Sequence, residues 1–178
     1  MTTAMSTTEL TTATTRTVTG ERADLLETLA KHRHFLRHTL EGLTDEQAGL
    51  RTTVSELCLG GLVKHVTVVE WQWINFVIGG AAGMVETGSR EDEFRMLEGD
   101  TVTGVLERYE EVARRTDELV VSLPDLDASH PLPVAPWFEP GAKWSARRVL
   151  LHIIAETSQH AGHADIIREA LDGSKTMG

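Results

Sequence analysis

Four long stretches of the chain repeat their apolar residues with the period of an α-helix, and almost nothing between them alternates as a strand would. The first runs from about Gly20 to Leu43, with Leu25, Leu29, Leu36 and Leu40 on one face. A second begins after Ser55, a candidate N-cap, and reaches about Ile78 before Gly79 and Gly80 stop it. The third starts at Asp100 or Thr101 and packs Val102, Val105, Leu106, Tyr109, Val112, Leu119 and Val120 as far as Ser122, where Pro124 ends it. Ser145 caps the fourth, which continues to about Leu171 and stops at Asp172-Gly173. Four amphipathic helices of this length have one economical solution, burial of their faces against each other in a bundle. An up-down antiparallel four-helix bundle is expected, or a variant with one long crossover between the third and fourth helices.

The connections carry their own signals. Thr44 and Gln47 have capping-box spacing around a short helical turn. The acidic, polar stretch from Gly83 to Gly99 reads as a loop or a few short turns. Residues 124–144 hold all five prolines of the chain, with Gly141, Trp137 and Phe138 among them. An aromatic loop of that length is often functional.

At 178 residues the chain fits one domain, able to bury about 70% of its unfolded surface. We expect the domain to span residues 19–173, with a flexible Thr-rich tail at 1–18 and a short C-terminal tail at 174–178. Nine threonines, one Arg and no apolar core in the first seventeen residues do not make a secretory signal. The net charge of −10, with no basic cluster longer than Arg114-Arg115 or Arg147-Arg148, argues against a nucleic-acid partner. Charged residues interrupt every apolar stretch, so no membrane span is expected. The single cysteine, Cys58, reads as a small buried residue; without a second there is no intrachain disulfide, which suits a cytoplasmic location.

The chemistry concentrates on the fourth helix. His152, Glu156, His160 and His163 are spaced by four, four and three, and form one stripe on a helix. Each offers a lone pair to a divalent metal, and Glu156 with His160, one turn apart, makes half of a metal site. The best third ligand is His65, on the apolar second helix. Two plainer readings stand beside this one. His65 can be a hydrogen-bonded core histidine, and Glu156/His160 an ordinary helical ion pair.

The segment Gly60-Gly61-Leu62-Val63-Lys64-His65-Val66, followed by Glu70-Trp71, and the pattern from Trp144 through His152, Glu156, His160 and His163 to Asp165, Arg168-Glu169 and Asp172-Gly173 together resemble the DinB-like superfamily. The resemblance covers roughly residues 20–173 and is greatest to an actinobacterial-type branch of uncharacterised DinB-like proteins, with a more distant similarity to mycothiol-dependent maleylpyruvate isomerase and the bacillithiol and mycothiol S-transferases. It implies an all-α DinB-like four-helix bundle, and His65, Glu156 and His160 as metal ligands, with a Glu where many members carry a His. It leaves His163 and His152 as outer residues that orient a ligand or meet substrate, with a buried, hydrogen-bonded histidine as the plainer reading of His152, and it implies a homodimer.

Three protein ligands leave a coordination position open, the arrangement of catalytic zinc. Two neutral imidazoles and a carboxylate leave a Zn²⁺ centre near +1, which favours a bound thiolate or hydroxide. Nickel suits the same donors. Together with such a centre, the resemblance implies transfer of a low-molecular-weight thiol of the mycothiol type to an electrophile, or a thiol-dependent isomerisation. Trp144, Arg147 and Arg148, with Trp137 and Phe138, are candidates to contact the thiol, against the plain alternatives of solvated Arg and core Trp. Other classes compatible with the residues are a non-catalytic metal- or ligand-binding bundle, stress-related or structural, and a metal-dependent hydrolase.

Overall fold

The computed structural model describes residues 18–85, 88, 89 and 91–176. The Thr-rich tail expected at 1–18 therefore lies outside the described residues apart from Val18. Among the described residues five α-helices carry the structure: α1 (Glu21–His38), α2 (Asp45–Ala48), α3 (Leu59–Gly79), α4 (Val102–Ser122) and α5 (Ala146–Asp172). The four long ones are those expected from the apolar period, and they form an all-α bundle.

Local chemistry fixes most of their ends. Thr44 and Gln47 form the capping box of α2, Thr101 Oγ1 accepts from the Gly104 amide at α4, and Ser145 Oγ accepts from the Arg148 amide at α5. Gly173 closes α5 in the left-handed conformation, at φ 81°. The expected N-cap at Ser55 is not used. Its hydroxyl pairs with Thr53 and accepts from the Leu57 amide within a bend over residues 53–56, and α3 starts at Leu59, after an extended Cys58.

Two apolar clusters fill the bundle. One takes Leu36 from α1 and Leu40 just beyond it, Leu59, Leu62, Val63 and Val66 from α3, Val105 and Tyr109 from α4, and Ala161, Ala164 and Ile167 from α5. The other takes Leu25 and Leu29, then Trp73, Ile74 and Phe76, then Val120, and finally Val149, Leu150 and Ile153. Along each helix, the residues between its two contributions include a buried polar side chain: Arg33, Glu70, Thr116 and Thr157. The Arg33 guanidinium donates to both Glu70 carboxylate oxygens and to Asp117 Oδ1, which ties α1, α3 and α4 at mid-height.

The same clusters give the helix directions. The starts of α1 and α5 lie together, where Arg147 pairs with Glu21, and their ends meet where Arg168 donates to the Thr39 carbonyl. The starts of α3 and α4 meet through Lys64 and Asp100. Thus α1 and α5 run one way and α3 and α4 the other, and the antiparallel neighbours are α3 with α5 and α1 with α4. Because α3 and α4 are parallel, the connection that crosses the length of the bundle is residues 80–101. The long connection between α4 and α5 begins and ends at one end of the bundle. It contains a feature that the sequence did not signal, a hairpin of β1 (Ser129–Pro131) and β2 (Lys143–Ser145), antiparallel with His130 opposite Trp144.

Candidate metal and thiol site

Because α3 and α5 are antiparallel and in contact, side chains eight residues apart on one meet side chains eight apart on the other. His65 lies edge-on to His160 with ring centroids 4.9 Å apart, and Trp73 lies edge-on to His152, also at 4.9 Å. Glu156 falls midway between His152 and His160. One oxygen, Oε2, is 3.6 Å from His160 Nε2, and the other, Oε1, is 3.7 Å from His152 Nε2.

His65, Glu156 and His160 each place one donor atom within 4.8 Å of the other two, the only such group of three or more His, Cys, Asp or Glu side chains among the described residues. An ion about 2.1 Å from three tetrahedral donors holds them roughly 3.4 Å apart. The Glu156–His160 separation of 3.6 Å is close to that value, and His65 lies within 4.8 Å of both. His65 is buried, while Glu156 and His160 are partly open to solvent. The donors, two imidazoles and a carboxylate from two rigid helices, fit a divalent cation of the zinc or nickel type.

The electrostatics agree with an anionic Glu156. Contact with His160 is the largest influence and lowers its carboxyl below the usual value; partial burial opposes this, and the nearby charges of His152, His160 and His65 lower it further. His152 moves down as well, because burial disfavours its cation and Arg148 adds to the effect, against the pull of Glu156. His152 is thus held towards neutrality, its ring edge-on to both Trp73 and Trp144, the latter with its centroid 5.1 Å away.

The remaining sequence candidates separate into two groups. Arg148 is on the stripe, with its guanidinium over the Trp144 ring at 4.7 Å, and Trp144 stacks on Trp73 at 4.7 Å. The hairpin is what brings Trp144 there, and Phe138 packs against it edge-on. His163 Nδ1 lies 3.4 Å from Nδ1 of His160, the nitrogen turned away from Glu156. Arg147, by contrast, points off the stripe to Glu21 and Asp127, beside a shallow hollow lined by Thr19, Arg22 and Leu126. Trp137 is largely exposed in the hairpin loop.

Sequence reasoning missed two neighbours of His65. Glu93 Oε2 is 3.1 Å from His65 Nδ1, and Phe94 stacks on the imidazole with centroids 4.0 Å apart. Both belong to a single 3-10 turn, Asp92–Phe94, in the crossing connection. Three residues carry no periodicity, so no pattern along the chain placed them beside His65.

Residues 24–173 match the model of a protein family described as MST, Mycothiol-S-transferase. No curated protein matches the chain. No helix among the described residues is long and apolar enough to cross a membrane.

Proposed function

The chain belongs to the mycothiol S-transferase family, and from that premise we propose that it transfers a low-molecular-weight thiol of the mycothiol type to an electrophile with the help of a divalent metal, zinc before nickel. The observation that carries this reading is the convergence of His65, Glu156 and His160 from α3 and α5 on one point. When bound there, the ion supplies Lewis acidity that lowers the pKa of a sulfur ligand.

The protein side of the mechanism follows from the neighbours. Glu156, kept ionised, contributes the one negative charge among the three donors. His163 meets His160 on its far nitrogen, and His152 faces the carboxylate oxygen that does not face His160, so neither closes the site. That favours an open, catalytic site over a closed structural one. Trp73 and Trp144, stacked on each other and met edge-on by His152, give an apolar surface one turn along α5 from Glu156, and Arg148 at its edge provides the cation for an anionic group on the thiol or the electrophile. Arg147 is engaged by two carboxylates and is the weaker candidate for that contact. We further propose one domain over residues 19–173, a cytoplasmic homodimer, and no nucleic-acid or membrane partner.

Cobalt-substituted protein tests the reading. Titration with mycothiol, bacillithiol, glutathione and cysteine is expected to add a sulfur-to-metal charge-transfer band in the near ultraviolet, at the lowest concentration for mycothiol. If no thiol perturbs the cobalt spectrum at millimolar concentration, the transferase reading falls and leaves the metal-dependent hydrolase and the non-catalytic binding bundle.

A further inference from the structure

Two consecutive glycines open α3, at a cost of about 1 kcal/mol each relative to alanine inside a helix. The crossing connection explains them. A Cβ on Gly61 would overlap the backbone of Phe94, and one on Gly60 would overlap the side chain of Met96. The absence of side chains at these two positions lets residues 92–96 lie directly on the helix surface.

Lys64 then fastens the segment from the next turn. Its ammonium donates to the Arg95 carbonyl at 2.7 Å and to the Asp100 carboxylate, which also accepts from the Leu97 amide. Cys58 Sγ, just before the helix, donates to the Phe94 carbonyl at 3.6 Å. The side chain after Lys64 is His65. The segment held in this way delivers Phe94 to the face of its ring and Glu93 to its Nδ1, while His160 meets it edge-on. Glu93 and His65 are both nearly buried, with side chains 14% and 8% exposed, so the contact is shielded from competing water.

Resting on the metal-site reading above, we propose that Glu93 is a positioning residue for that site: docked through the Gly60-Gly61 notch and the Lys64 clamp, it fixes the tautomer and orientation of His65. With Nδ1–H donating to the Glu93 carboxylate, His65 presents Nε2 to a metal. A carboxylate behind a ligating imidazole raises the basicity of the ring and removes its freedom to rotate. The short sequence from Gly60 to His65 is therefore one device, with two notches, a clamping cation and the ligand that the clamp orients.

Zinc affinity, measured by competition with a chromophoric chelator, is the first readout, and it needs no substrate. Wild-type protein is expected to bind one zinc. Glu93→Ala is expected to bind it 10- to 100-fold more weakly, with Glu93→Gln between the two because its amide oxygen still accepts from Nδ1–H. Gly61→Ala, which displaces the Phe94 backbone without touching a polar side chain, should weaken zinc in the same direction. Long-range 1H–15N NMR of the zinc-loaded wild type is expected to show the His65 proton on Nδ1, and in Glu93→Ala that signal should broaden or be lost. A purely structural role for Glu93 would lower the melting temperature and leave affinity and tautomer unchanged. Glu93→Ala within twofold of wild type in zinc affinity, or a His65 proton on Nε2, overturns the proposal and leaves the metal site standing. A wild type that binds no zinc overturns both.

Discussion

Replacing Glu70 with alanine should be among the most damaging single changes in this bundle. The Glu70 side chain is fully buried and Arg33 is only 4% exposed, so water cannot substitute for either. Arg33 stays charged: burial works against the cation, but the charge and hydrogen bonds of Glu70, and then those of Asp117, outweigh it and raise its pKa. Removal of Glu70 leaves that guanidinium with Asp117 alone, whose side chain is 46% exposed. Breaking a buried pair from one side costs about 3–5 kcal/mol, because it strands the partner's charge in a low dielectric. For a domain of this size that corresponds to a melting temperature lower by about 6–20 °C. Urea and thermal unfolding followed by circular dichroism measure it, with Glu70→Gln expected to lose less because an acceptor remains. The paired variant Arg33→Met with Glu70→Leu should recover most of the loss, since replacing both charges by apolar groups removes the stranded ion. A cost below about 1 kcal/mol for Glu70→Ala would refute the argument, as would a paired variant that is no better than the single one.

Two further outcomes follow from the same structure. His160→Ala should abolish stoichiometric metal binding while helicity is retained, because an open site adds less to folding than a closed one; circular dichroism and metal content on one sample test this, and joint loss of both favours a structural metal. Asp100 gives an acid-side signature: burial tends to raise its carboxyl, but the hydrogen bond from Lys64, the Leu97 amide and the Lys64 charge outweigh that and lower it. A folded pKa below the unfolded one means that its stabilisation, about 1 kcal/mol, is complete above about pH 4 and lost as pH falls through the folded value. The stability gap between wild type and Asp100→Asn should therefore close on acidification below pH 4, and a gap that stays constant from pH 6 to 3 would contradict it.

What could be read from the sequence depended on whether a feature repeats along a helix. The stripe of His152, Glu156 and His160 was legible because a four-residue stride on any helix defines a face. His65 could be matched to it because its own helix is apolar enough to require a buried partner. Helix direction has no such signature, since an apolar period reads the same in either sense. The parallel run of α3 and α4 shows only in which ends share a cluster and in single pairs such as Lys64 with Asp100. The hairpin that sets Trp144 against Trp73 has three residues in each strand, too few to alternate visibly.

Glu93 was hidden for a related reason, but the sequence held a sign that something docks there. Glycines within an apolar helix oppose helix formation, so a pair of them at its start, directly before a lysine and a candidate ligand, calls for a compensating contact. Backbone from elsewhere must approach at that point, and the acidic connection that follows α3 is long enough to return to it. The residues that orient a metal ligand here were to be sought in the segment that the two glycines admit, rather than on the helices that supply the ligands.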